Sequence, residues 1–192
     1  MLKTFKLNID ETEDTGMEAI SLVEYPAVEV DFLAFNKEQG MKQLFFNDEK
    51  HEIYGVVCLA DTPIYRINST LGEHYIVFDK DTIKKMILKY SKMNFNNNIN
   101  IEHQGELVSG LTMIESFIKD TENGIDPVQF KSVTEGSWIC RFKVENQDIW
   151  EKIKSKEVKG FSLEGFFKYD FSNQNKEDKS DWLDDLLNNI NN

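Results

Sequence analysis

Two side chains stand where a nucleophile and a base could meet. Ser162 lies in the run Gly160-Phe161-Ser162-Leu163-Glu164-Gly165. Strand alternation there sends Ser162, Glu164 and Phe166 to one face and Phe161, Leu163 and Phe167 to the other. The hydroxyl thus projects away from the apolar face, between glycines at 160 and 165 that permit close backbone approach. His103 closes the strand-like stretch Asn100-Ile101-Glu102-His103, just before a Gln104-Gly105 turn. A hydroxyl and an imidazole are the parts of nucleophilic catalysis, although a strand serine beside a glycine and a histidine at an element end are each more often structural. His51 sits among Glu49, Lys50 and Glu52, and His74 in a hairpin strand, so neither offers a better base.

Other chemistries find less support. The chain has no G-x-x-x-x-G-K-[ST], G-x-G-x-x-G or H-E-x-x-H, which removes the usual phosphate, dinucleotide and zincin readings. The run around Ser162 fails as a nucleophile elbow because its second glycine comes one residue late. The three histidines lack metal-ligand spacing, so metal-free, cofactor-free chemistry is expected. With 22 basic and 34 acidic residues the net charge is −12, and Arg66 and Arg141 are the only arginines. Such a chain has no basic stripe for phosphates, and nucleic acid is not an expected partner.

No window approaches a membrane span, nor does the N-terminal stretch show the apolar core of a signal peptide. Cys58 and Cys140 lie in apolar strand-like stretches without C-x-x-C spacing and read as buried free thiols. A cytoplasmic protein without membrane partners is the expectation.

The elements that must position these residues follow from period and punctuation. Strands are expected over residues 2–9, 19–25, 30–35 and 53–60, and a hairpin over 64–67 and 74–78 around the turn Asn68-Ser69-Thr70-Leu71-Gly72-Glu73. Asp79 or Asp81 can cap a helix with Ile83, Met86, Ile87 and Tyr90 on one stripe. After Asn94-Phe95-Asn96-Asn97-Asn98, strands are expected over 99–103, 107–118 and 138–144. Asn146 or Asp148 can cap a second helix, with Ile149, Trp150 and Ile153 inward and an end at Lys159-Gly160. A strand then runs to Phe171.

Three regions emerge: a domain over 1–171, a polar linker over 172–180 and a short acidic amphipathic helix over 181–192. That helix either docks back on the domain or serves as a docking peptide for another protein. Many strands with two or three helices in non-alternating order predict an α+β fold with a mainly antiparallel sheet or barrel.

The stretches NINIEHQGELVSGLTMIESFI and GSWICRFKVENQDIWEKIKSKEVKGFSLEGFF resemble the phage prohead maturation proteases, most closely the XkdF-type serine proteases, in order, spacing and local sequence. Pro63-Ile64-Tyr65-Arg66 and Tyr75-Ile76-Val77-Phe78 belong to the likeness. Ile20-Ser21-Leu22-Val23-Glu24-Tyr25-Pro26-Ala27 resembles a segment that follows the catalytic serine in other prohead proteases, so its place here looks like a circular permutation.

The resemblance implies a herpesvirus-assemblin-like fold, a small β-barrel with packed helices, in which Ser162 attacks the scissile carbonyl and His103 shuttles its proton. For the group that orients the base, it points two positions before Ser21, to Ala19. Glu18, one residue away, is ranked first and would need a bulge to reach the site. Glu24 and Glu164 are alternatives, Glu164 on the face of Ser162. The implied activity is a serine endopeptidase that cleaves scaffold and major capsid protein inside the assembling procapsid, in the host cytoplasm; a homo-oligomer is compatible with it. The rival is a noncatalytic head-assembly protein that retains the fold, and a hydrolase of small esters or amides is a third reading.

Overall fold

The computed structural model describes residues 2–10, 15–25 and 50–172. Among these residues ten strands, β1 (Thr4–Asn8), β2 (Gly16–Val23), β3 (Glu52–Cys58), β4 (Ile64–Asn68), β5 (Gly72–Val77), β6 (Ile99–Ile101), β7 (Leu111–Ile118), β8 (Trp138–Val144), β9 (Gly160–Phe166) and β10 (Lys168–Asp170), are joined by helices α1 (Lys80–Lys92) and α2 (Gln147–Lys154). The fold is α+β, mostly sheet. Among the described residues the expected closed barrel does not form. Hydrogen bonding divides the strands into a four-stranded sheet β10-β1-β5-β4 and two three-stranded sheets, β6-β2-β9 and β3-β8-β7. Each keeps two edges, because the ladders stop at β4, β10, β6, β9, β3 and β7 rather than pairing across.

Local chemistry accounts for the helices. Asp79 caps α1 by accepting from the Thr82 N–H at 2.8 Å, and Ile83, Met86 and Tyr90 bury the apolar stripe. The helix stops at Asn94, which takes a left-handed φ of 59°, a conformation asparagine tolerates. Asn146 caps α2 through Ile149 N–H at 3.2 Å, and Ile149, Trp150 and Ile153 face inward. This helix ends sooner than the sequence predicts. Its C-cap is Ser155, and Lys156 turns the chain out of it at φ 63°.

Three strand expectations change. The predicted strand over 107–118 begins at Leu111, after a turn at Gly110. The predicted run from 160 to Phe171 breaks at Phe167, leaving β9 beside β2 and β10 beside β1. The strand expected over 30–35 lies outside the described residues, as do the expected acidic helix over 181–192 and almost all of the linker. The hairpin forms as predicted, with Asn68 opposite Gly72.

The sheets and helices share one core, in which Trp138, Trp150, Tyr90, Phe142 and Phe161 are fully buried. The Phe142 and Phe161 rings, 5.3 Å apart, tie β8 to β9. Cys58 and Cys140 are buried and unbridged within it. Between β7 and β8 the long loop is held from inside by Lys119, whose ammonium donates to the carbonyls of Phe130, Lys131 and Val133 at 3.0, 3.0 and 2.8 Å. Among the described residues no helix is long and apolar enough to cross a membrane.

Close approach of β2 and β9 fixes their register. A Cβ at residue 165 would lie 2.1 Å from the Gly16 carbonyl oxygen and 2.8 Å from Met17 Cα, so only glycine fits there. A bulge between Met17 and Ala19 then sets Ala19 opposite Glu164 and Ser21 opposite Ser162. Gly165→Ala is expected to lower the free energy of urea unfolding by about 1–3 kcal/mol, the range for overpacking a tight site; an unchanged denaturation midpoint would show that the strands can part without loss.

Candidate active site

Three polar residues form a row across the sheet β6-β2-β9. Ser21 occupies the central strand, with Asn100 opposite it on β6 and Ser162 opposite it on β9. All three are buried between apolar neighbours that point to the core. A buried polar group needs a partner: Ser21 and Asn100 find one in each other, and Ser162 finds one in His103.

His103 comes over this row from a turn. The strand β6 ends at Ile101, and Glu102 and His103 both adopt left-handed backbone conformations, φ 52° and 55°, unusual for two consecutive non-glycine residues. Hydrogen bonds brace the turn: Glu102 N–H donates to the Leu22 carbonyl at 3.0 Å, Gln104 N–H to the Ile101 carbonyl at 3.1 Å, and Glu24 N–H to the Glu102 carboxylate at 2.6 Å. The imidazole is thereby held against β9. Its Nε2 lies 3.1 Å from Ser162 Oγ, while Nδ1 lies 2.9 Å from Ser21 Oγ and 3.3 Å from Glu164 Oε2.

One assignment of protons satisfies the whole cluster. Ser162 donates to an unprotonated Nε2, and the Nδ1–H is directed at Ser21 Oγ and the Glu164 carboxylate. The Ser21 hydroxyl donates to the Asn100 side-chain carbonyl, and the Asn100 amide donates to Glu164 Oε2 at 2.5 Å. Glu164 is therefore held as a carboxylate: the Asn100 hydrogen bond lowers its pKa most, partial burial opposes this, and His103 and Ser21 lower it further. A hydroxyl bonded to an imidazole whose far nitrogen faces a carboxylate can give up its proton to that ring and leave the resulting cation stabilised.

Of the residues predicted from the sequence, Ser162 and His103 are brought together and Glu18 is not joined to them. Glu18 is exposed, lies in the β2 bulge, and is engaged through its main-chain carbonyl by the Asn98 amide at 3.1 Å. The bulge that Glu18 would need is present, but no hydrogen bond or ion pair joins its carboxylate to His103 among the described residues, whereas the alternative, Glu164, lies 3.3 Å from Nδ1. Glu24 is engaged by Lys159 at 3.3 Å instead. His74 is buried, bonded to the Gly72 carbonyl and the Tyr169 hydroxyl, and His51 stacks on Trp150.

Ser21 and Asn100 escaped the sequence reading as site residues. Their signal was a lone polar side chain between two isoleucine or leucine neighbours in a strand, Ile20-Ser21-Leu22 and Ile99-Asn100-Ile101. Among the described residues no group of His, Cys, Asp and Glu could hold a metal ion.

The lowered pKa of Glu164 has a consequence for stability. Its ionised form favours the fold fully above the ordinary carboxylate pKa of about 4.3, and that contribution is lost as the pH falls through its lower value in the folded protein. Melting temperature measured from pH 6 down to pH 3 should accordingly fall more steeply for the wild type than for Glu164→Gln. Parallel curves would show that the carboxylate is not held in the cluster.

A family model described as putative phage serine protease XkdF matches residues 41–170, about two thirds of the chain. The match includes His103, Asn100, Ser162 and Glu164, while Ser21 lies before it. Comparison with curated proteins returns no match, and neither does comparison with solved structures. The chain belongs to the XkdF family of phage serine proteases.

Proposed function

We propose that the protein is the serine endopeptidase of phage head maturation, acting on scaffold and on the N-terminal parts of the capsid protein within the procapsid. The observation that carries the catalytic part is the position of His103, bonded through Nε2 to Ser162 and through Nδ1 to Ser21 and Glu164. Ser162 Oγ attacks the scissile carbonyl carbon as its proton passes to His103 Nε2. The imidazolium is stabilised at Nδ1 by the carboxylate and by the Ser21 oxygen, then protonates the departing amine as the C–N bond breaks. Water repeats the sequence on the acyl-enzyme, returning the proton to Ser162.

Ala19 stands where the family resemblance points for an orienting group, which would favour a noncatalytic relative. That argument loses force once Nδ1 has two partners from other positions. The phage family membership supports head assembly as the setting, and the substrates are inferred from it.

Co-expression with the scaffold and major capsid protein of the same genome, followed by intact-mass analysis, tests this reading. Cleavage by the wild type and none by Ser162→Ala is expected; no cleavage by either folded chain would point to the noncatalytic assembly protein. On a cleaved peptide, Glu164→Gln should lower kcat about 10- to 100-fold, less than the loss in Ser162→Ala because Ser21 stays on Nδ1. Glu18→Ala should leave kcat within about twofold of the wild type, and a loss as large as that of Glu164→Gln would restore Glu18 to the site.

A further inference from the structure

Beside the nucleophile lies a cavity of about 350 Å³ whose lining includes Ser162 itself. Its walls are largely apolar, among them Ile76, Phe78 and Phe161, and its polar lining includes Arg66 and Tyr169. Arg66 comes from β4, opposite His74 on β5, and is partly buried. Its one hydrogen bond among the described residues runs to the main-chain carbonyl of Tyr65, at 2.8 Å.

The contrast with the other arginine is informative. Arg141 lies near two carboxylates, Glu52 at 3.6 Å and Glu115 at 3.3 Å, and stacks over the Tyr54 ring. Arg66 has no carboxylate partner among the described residues, in a chain with 34 acidic side chains. A guanidinium withdrawn from water without a counter-ion is costly, and a fork of N–H donors on an apolar wall suits a carboxylate that arrives with an apolar neighbour.

We propose that this cavity is the specificity pocket and that Arg66 selects peptides with a glutamate or aspartate side chain on the acyl side of the scissile bond, seated among the apolar walls. The assignment of the pocket to a cleavage reaction rests on the protease reading; the preference for a carboxylate does not. Arg66 would act in binding, so its loss should raise KM for acidic substrates and change kcat little.

Two measurements separate the proposals. In the first, acetylated and amidated pentapeptides identical except for Glu against Gln at each position in turn are titrated into Ser162→Ala by NMR. Binding about tenfold tighter for Glu at one position is expected. In Ser162→Ala/Arg66→Gln that advantage should vanish, and in Ser162→Ala/Arg66→Lys it should return in part. Equal affinities, binding of neither peptide, or an advantage that survives Arg66→Gln would overturn the pocket. In the second, a proteome-derived peptide library is digested by the wild type and by Arg66→Gln and the new termini are sequenced by mass spectrometry. Enrichment of acidic residues on the acyl side that is lost in Arg66→Gln supports the proposal, and cleavage without such enrichment refutes it. Carboxylate binding without Ser162-dependent cleavage would refute the protease reading and leave the pocket standing.

Discussion

Strand β2 is the constraint on which the site depends. It pairs in parallel with β6 on one side and antiparallel with β9 on the other, so the positions of Asn100 and Ser162 are both set relative to Ser21. A slip of one residue on either side would turn one of these side chains to the opposite face. The Met17/Ala19 bulge and the Cβ-free approach at Gly165 prevent that slip by leaving one register that avoids a clash. Packing between the two backbones thus sets Ser21 and Ser162 side by side beneath the imidazole, one at each ring nitrogen.

The polar row would be a defect in an otherwise apolar sheet if any of its members lacked a partner. Ser21 and Asn100 have no outlet to water, and they satisfy one another, His103 and Glu164. Such a network acts in two ways. It removes the cost of burying hydroxyl and amide groups, and it fixes the tautomer of His103 by placing acceptors at Nδ1 and a hydroxyl at Nε2. Glu164 reaches the ring because strand alternation puts it two residues from Ser162 on the same face, a geometry that requires no loop to close over the site.

Charge is distributed to match. Among the described residues more than half of the acidic side chains are exposed, while Glu164 is held in the site by neutral donors, chiefly Asn100, rather than by a lysine or arginine. A cationic partner would compete with His103 for the carboxylate; an amide leaves it free to stabilise the protonated ring. Arg66 lines the neighbouring cavity from a different sheet, and Glu164 is not among the residues that line it.

The sequence by itself determined the local features. Asp79 and Asn146 announce their helices within three residues, the apolar stripes of α1 and α2 repeat within two turns, and the alternation from Phe161 to Glu164 already placed Ser162 and Glu164 on one face. These depend on neighbours along the chain. The closed barrel was not legible, because closure depends on edge strands pairing across the molecule; nor was which carboxylate lies nearest His103 Nδ1, because the register of β9 is set by a bulge in β2, 140 or so residues away along the chain. The turn that aims His103 depends on left-handed backbone at Glu102 and His103, two in succession where non-glycine residues seldom adopt even one, braced by hydrogen bonds to Leu22 and Glu24. Tertiary structure alone decided these, since register, bulge and turn conformation are fixed by atoms that are distant in sequence and adjacent only once the sheets have formed.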